Sequence, residues 1–129
     1  MCDRGEFEGD LQKLCVAESI GVIPYYSLAS GFLTGKYRTE ADLEGRARAA
    51  GAGKYLNPKG LAVLKAIDDA AARSKATQAQ VALAWLLAQP AISAPIVSAT
   101  TLAQLDDILK APNVKLSHDD LAALTKAGA

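Results

Sequence analysis

The sequence has few of the residues that build a metal centre or a disulfide scaffold. Two cysteines, Cys2 and Cys15, and one histidine, His118, occur in 129 residues, and no Cys/His spacing matches a zinc site. Cys15 falls on an apolar helical face and reads as a small core residue. An excess of charge of either sign is also lacking. The 14 basic and 14 acidic side chains cancel and are interspersed, leaving no clustered basic face for nucleic acid or an anionic membrane. No apolar run has the length of a membrane span. The uncharged stretch from Thr77 onward is interrupted by Gln78, Gln80, Gln89, Pro90, Ser93 and Pro95. The opening residues MCDRGEFEGD contain no apolar signal-peptide core, so the cytoplasm is the expected compartment. Finally, the length allows one domain and excludes a complete (β/α)8 barrel, which needs roughly 250 residues.

Half of the chain is apolar, and alanine outnumbers valine plus isoleucine 26 to 12. That balance favours helix over sheet, because alanine loses no side-chain entropy in a helix. Phe7, Leu11, Leu14 and Cys15 recur at helical spacing between Glu6 and Ser19, and Gly21 supplies a stop. Val22-Ile23-Pro24-Tyr25-Tyr26 follows as a short apolar run that reads as a buried strand, although Pro24 is unusual within one. Asn57 and Pro58 mark an N-cap and first-turn proline for a helix reaching Ser74, with Leu61, Leu64, Ile67 and Ala71 on its stripe. Thr77 with Gln80 has capping-box spacing for a helix ending before Pro90, where Val81, Ala84, Trp85 and Ala88 point inward and Trp85 is a core residue. A second apolar run, Ala94-Pro95-Ile96-Val97-Ser98, reads as a strand leading into a helix from Leu102 to Lys110 behind Thr101 and Gln104. The last helix starts at Ser117, with Asp119 and Asp120 in its first turn and Leu116 placed to staple against Leu121. The expected order is α-β-loop-α-α-β-α-α, a helix-rich α/β chain of about five helices and two parallel strands. Within it, residues 27–57 form a long glycine-rich segment with no sustained period, which is expected to be the least ordered part.

No catalytic constellation is visible. His118 sits in a polar first turn without a placed partner, and the pairs Asp68-Asp69, Asp106-Asp107 and Asp119-Asp120 point to different helix faces. Two places suit an anion. Gly31-Phe32-Leu33-Thr34-Gly35-Lys36 follows a strand and combines glycines with a lysine, although the spacing and Tyr37 depart from the strict phosphate-loop pattern. Ser98, Ala99 and Thr100 lead to the start of the helix at Leu102, where ordinary capping by Thr101 explains the same residues without a ligand.

Gly21-Val22-Ile23-Pro24-Tyr25-Tyr26-Ser27-Leu28-Ala29-Ser30-Gly31-Phe32-Leu33-Thr34-Gly35-Lys36-Tyr37-Arg38 closely resembles the strand-seven segment of aldo-keto reductases. The likeness continues through Asp3-Arg4-Gly5-Glu6-Phe7-Glu8, through Ala79-Gln80-Val81-Ala82-Leu83-Ala84-Trp85, and through Ala94-Pro95-Ile96-Val97-Ser98-Ala99-Thr100 to Gln104-Leu105. It covers the whole chain with only the carboxy-terminal part of the family. It implies a single incomplete segment of a (β/α)8 TIM barrel over residues 1–129, with Val22–Tyr25 resembling strand seven and Ile96-Val97 strand eight.

The family reduces aldehydes and ketones with NADPH. By position Tyr25 resembles the aromatic that stacks on the nicotinamide, and Tyr26, Leu28, Ser30, Gly31, Leu33 and Lys36 resemble the loop covering the pyrophosphate. Ser98, Ala99, Thr100, Gln104 and Asp107 fall where the family holds the adenosine end and its 2′-phosphate. The implied cofactor is therefore NADP(H), with no metal. No Arg or Lys lies between Thr100 and Gln104, and Ile108 replaces an asparagine common in the family, which leaves NAD open. The family's catalytic Asp, Tyr, Lys and His come from earlier strands that have no counterpart here, so the chain alone is expected to be inactive. Two strands cannot close a barrel, and the expected partner is a second copy or the rest of the barrel. A non-catalytic nucleotide-binding or oligomerising module, or a structural remnant, are the alternatives.

Overall fold

Local capping chemistry fixes the helices. In the computed structural model, which describes residues 1–129, α1 spans Asp10–Ala17, α2 Ala49–Gly53, α3 Pro58–Ser74, α4 Gln78–Leu87, α5 Leu102–Ile108 and α6 His118–Ala127. Asn57 Oδ1 accepts the Gly60 amide at 2.9 Å to open α3, with Pro58 in the first turn. Thr77 and Gln80 form a reciprocal capping box at α4, as do Ser117 and Asp120 at α6. The box at α5 is only half made. Thr101 Oγ1 accepts the Gln104 amide, but the Gln104 side chain accepts from Thr100 rather than from Thr101. α1 is shorter than the apolar spacing suggests, because residues 5–9 form turns and the helix starts only at Asp10.

The core gathers around α3 and α4. On α3 the buried residues Val63, Leu64, Ile67, Ala70 and Ala71 follow helical spacing, while on α4 every residue from Ala79 to Trp85 is buried, the pattern of a helix enclosed on all sides. Trp85 is 1% exposed, and its Nε1 donates to Thr125 Oγ1 at 3.0 Å. Arg4 lies over the Trp85 ring and donates to the Thr125 carbonyl, which ties the first residues to α6. Arg73 on α3 reaches Asp120 on α6 at 2.8 Å through Nε. Burial acts to raise the Asp120 pKa, but the hydrogen bonds from Ser117 and Arg73 outweigh it and hold the carboxyl below its ordinary value.

Residues 27–57 differ from the expectation of a poorly ordered loop. They contain two 3-10 turns, Ala29–Thr34 and Glu40–Leu43, as well as α2. Ala29, Phe32, Leu33, Tyr37 and Ala52 from this segment belong to the main core, packed with α3 and α4. Their apolar side chains are too irregularly spaced to show a period, yet burying them offsets the entropy of ordering the segment.

Neither expected strand forms. Val22 and Ile92 make one isolated parallel bridge, in which the Val22 amide donates to the Ala91 carbonyl at 2.8 Å and the Ser93 amide donates to the Val22 carbonyl at 2.9 Å. The next rung of a parallel ladder would need amide hydrogens on Pro24 and Pro95, and proline has none. Instead the Ile96 amide donates to the Pro24 carbonyl at 2.9 Å, one residue late, and the ladder ends. The direction is parallel as expected, but the two-stranded barrel segment is reduced to this bridge.

The chain exposes 7743 Å², against about 6,500 Å² for a compact monomer of 13.4 kDa on the usual scaling of surface with mass. Much of the excess is apolar and lies at α1, the bridge region and α5: Leu11, Leu14, Ile23, Tyr25, Leu102 and Leu109 are all at least half exposed. α1 buries only Cys15 from its predicted stripe.

Candidate functional site

The residues expected to bind a dinucleotide lie on two arms that meet at the bridge. The first runs from Tyr25 to Lys36. Tyr25 and Tyr26 are exposed, with ring centroids 5.1 Å apart and planes at 54°. Tyr26, Ala29 and Ser30 have φ of 54°, 50° and 57°, and Gly31 follows at 90°. Left-handed backbone at three non-glycine positions costs on the order of 1 kcal/mol each, and such strain persists only where the surroundings enforce it. Here the buried Phe32 and Leu33 pin the turn. Leu33 faces the core, so it can offer a ligand only its backbone, whereas Leu28 and Ser30 are partly exposed. The turn brings the Lys36 side chain back over Gly31, where a Cβ would lie 3.3 Å from Nζ. The glycine and the lysine of the proposed anion loop are thus adjacent, and Lys36 is exposed with Nζ 4.9 Å from the Tyr37 ring centroid.

The second arm runs from Ser98 to Asp107. Ser98 and Thr100 are exposed and Ala99 is partly so. Gln104 Oε1 accepts from the Thr100 amide at 2.9 Å and from its hydroxyl at 3.0 Å, so part of the donor set expected for an anion already has an acceptor within the chain. Asp107 braces α4: its Oδ2 accepts from Thr77 Oγ1 at 2.9 Å and its Oδ1 from Gln80 Nε2 at 2.8 Å. Both arms are therefore fixed against the first turn of α4. Asp107 anchors one, and Gln78 supports the other by packing where a Cβ on Gly35 would touch it at 3.4 Å.

A network that sequence reasoning missed completes this support. Arg38 makes two 2.8 Å bonds to the carboxylate of Asp68 on α3, donates through Nε to the Gly35 carbonyl, and shares Asp68 with Gln78 Nε2. The guanidinium holds the Asp68 carboxyl below its ordinary pKa. Arg38 ends the stretch that resembles the family, but its partner is thirty residues away and no local pattern links the two.

The remaining titratable clusters do not assemble catalytic chemistry. Asp3 accepts from the Tyr55 hydroxyl at 2.6 Å and from Lys54 at 3.3 Å beside a cleft of about 210 Å³. The Tyr55 bond holds the Asp3 carboxyl low, and burial pushes the Tyr55 hydroxyl up, away from a value suited to proton transfer near neutrality. His118 is exposed at the start of α6. No hydrogen bond joins the Tyr25 hydroxyl to a lysine or histidine. No three His, Cys, Asp or Glu side chains are grouped to hold a metal ion, and no helix is long and apolar enough to cross a membrane.

The sequence profile of the Aldo/keto reductase family matches residues 2–129. This chain belongs to the aldo/keto reductase family. It is 32% identical over 127 residues to a protein named "Probable aldo-keto reductase 1" from Glycine max, covering 95% of this chain and 36% of that one. It is 32% identical to "Protein tas" from Escherichia coli strain K12, with 92% and 35% covered. It is also 32% identical to "Aldo-keto reductase yakc [NADP(+)]" from Schizosaccharomyces pombe, with 91% and 35% covered. The chain spans about a third of the length of these relatives. The helix-rich architecture is consistent with a segment of that family.

Proposed function

We propose that the chain is the carboxy-terminal section of an NADP(H)-dependent carbonyl reductase of the cytoplasm, carrying part of the dinucleotide-binding surface and none of the residues that reduce the substrate. The observation that carries this reading is Lys36 folded over Gly31 on a rigid turn directly after the exposed Tyr25. Lys36 places a mobile positive charge where glycine lets a phosphate approach the backbone, and Tyr25 offers a flat apolar face to a planar ring. On the other arm Ser98, Ala99 and Thr100 provide small and hydroxyl-bearing contacts, with Gln104 and Asp107 fixing their position. The dinucleotide, when bound, supplies the hydride for reduction. The NADP(+) in the name of the fission-yeast relative supports this choice over NAD, while the absence of Arg or Lys between Thr100 and Gln104 predicts only modest discrimination between the two.

A second reading, nucleotide binding without catalysis, is favoured by the exposed Tyr25, whose hydroxyl makes no hydrogen bond to a lysine or histidine. Both readings predict that the purified chain does not oxidise NADPH in the presence of an aldehyde. They part when the rest of a barrel is supplied. Co-expression with the amino-terminal two thirds of a relative would give carbonyl-dependent NADPH oxidation under the first reading and none under the second. Turnover by the chain alone would overturn both.

A further inference from the structure

The turn that carries Lys36 is fastened on both sides. Thr34 Oγ1 donates to the Gly31 carbonyl at 2.7 Å, and the Arg38 amide donates to Asp42 Oδ2 at 2.9 Å. Between them Gly35 has φ of 77°, and without a side chain its peptide link to Lys36 is free to turn unless something holds the carbonyl. Arg38 Nε holds it at 2.8 Å. A Cβ on Gly35 would lie 2.8 Å from the guanidinium, so the glycine is also what admits Arg38 to this place. The other end of the guanidinium fork meets both oxygens of Asp68 on α3, and Gln78 in the first turn of α4 donates to one of them at 3.2 Å. The Arg38 and Asp68 side chains are 38% and 37% exposed, where an ion pair adds little to stability but a planar, three-point contact still fixes direction. All of these bonds close within residues 31–78.

We propose that Arg38, Asp68 and Gln78 are positioning residues for a diphosphate: by pinning the Gly35 carbonyl to α3 and α4 they set the direction in which Lys36 leaves the backbone, and so keep its ammonium over Gly31. The proposal rests on the reading of Gly31 and Lys36 as phosphate contacts. Charge supports it. Arg38 is neutralised by Asp68, whereas Lys36 takes part in no ion pair, so it is the one charge between Gly31 and Arg38 left to meet an anion. Shape supports it as well. Lys36 Nζ stands 3.3 Å from where a Gly31 Cβ would lie, on the side of the turn where only a glycine leaves the backbone open. A lysine at position 38 would keep the positive charge but could not bond the Gly35 carbonyl and both Asp68 oxygens from one rigid plane. That substitution therefore separates direction from charge.

NMR titration of the full chain with NADPH and, separately, with adenosine 2′-phosphate tests it, because only the first of these ligands carries a diphosphate. Arg38→Lys should weaken NADPH binding at least about threefold and leave adenosine 2′-phosphate within about 1.5-fold. In a Lys36→Ala background the same substitution should add less than about 1.5-fold, since a residue acting through Lys36 then has nothing left to position. Gln78→Ala, which leaves the ion pair in place, should show the same selective loss, and it carries the test if Arg38→Lys unfolds. Equal weakening of both ligands, or losses from Arg38→Lys and Lys36→Ala that multiply in full, would reveal a merely structural role and overturn the proposal. Unchanged NADPH affinity in both the Arg38 and the Gln78 variant would overturn it too, while leaving the phosphate contacts themselves standing. Absence of NADPH binding by the unsubstituted chain would instead overturn the phosphate-contact reading, and the proposal with it.

Discussion

Gly60 shows how strictly one residue can be constrained in this chain. It lies in the first turn of α3, where its amide meets the Asn57 cap, and a Cβ there would fall 1.8 Å from the Tyr55 carbonyl oxygen and 3.1 Å from the Phe32 ring. Backbone cannot move aside as a flexible side chain can. Gly60→Ala should therefore cost at least about 2 kcal/mol, read as a lower urea midpoint, because overpacking forces α3 away from the segment it caps. Asp68 makes the opposite kind of contribution, through charge. Its carboxyl is held below the ordinary value of 3.8 by hydrogen bonds from Arg38, against some burial. A carboxyl with a depressed folded-state pKa contributes stability that is fully present above its unfolded pKa of about 3.9 and is lost as pH falls through the lower folded value. Stability should thus decline below about pH 4, and Asp68→Asn should flatten that decline while lowering stability at pH 7. Equal acid dependence in the two proteins would remove Asp68 from the account.

Among the elements, the helices were legible from sequence and the bridge region was not, for physical reasons that can be named. Asn57-Pro58, Thr77 with Gln80 and Ser117 with Asp120 act over three residues, so their chemistry is complete within the local sequence. The expected strands depend on rungs between distant segments, and a pattern of apolar residues does not reveal that Pro24 and Pro95 fall on the same rung. Residues 27–57 show no period in sequence because Phe32, Leu33 and Tyr37 are buried from an irregular turn instead of a periodic element. The candidate site divides in the same way. Gly31 and Lys36 are close in sequence and were found together, whereas Arg38–Asp68 and Thr77–Asp107, which brace the two arms, each join residues thirty apart. The α4–α5 clamp can be measured directly. Thr77→Ala should cost about 1–2 kcal/mol through loss of the cap, and Asp107→Ala about 1 kcal/mol through loss of its hydrogen bonds. Because the two side chains share one contact, the double variant should cost less than the sum by about 0.5–1 kcal/mol in chemical denaturation. Full additivity would show that the Thr77–Asp107 contact contributes nothing to the clamp.

At the scale of the whole molecule, 129 residues build a helical core around α3 and α4 and leave the bridge between Val22 and Ile92 at its margin. The profile of the family covers residues 2–129, while the relatives are about three times as long. Under the proposed function the chain contributes two arms of a dinucleotide-binding surface to a larger reductase. The run of left-handed backbone from Tyr26 to Gly31 coincides with the expected ligand contacts. A cofactor lying on two exposed arms, as proposed, would keep much of its surface in contact with water, which would limit its affinity.

Under the proposed function, residues 25–36 and 98–104 together form a nucleotide-binding surface. Hydrogen–deuterium exchange of the chain with and without saturating NADPH tests it most directly, with Lys36→Ala measured in parallel. Exchange should slow only in those two segments, and NADPH affinity should fall at least fivefold on removing the Lys36 side chain. Unchanged exchange throughout, or protection centred on other residues such as the cleft beside Asp3 and Tyr55, would contradict it.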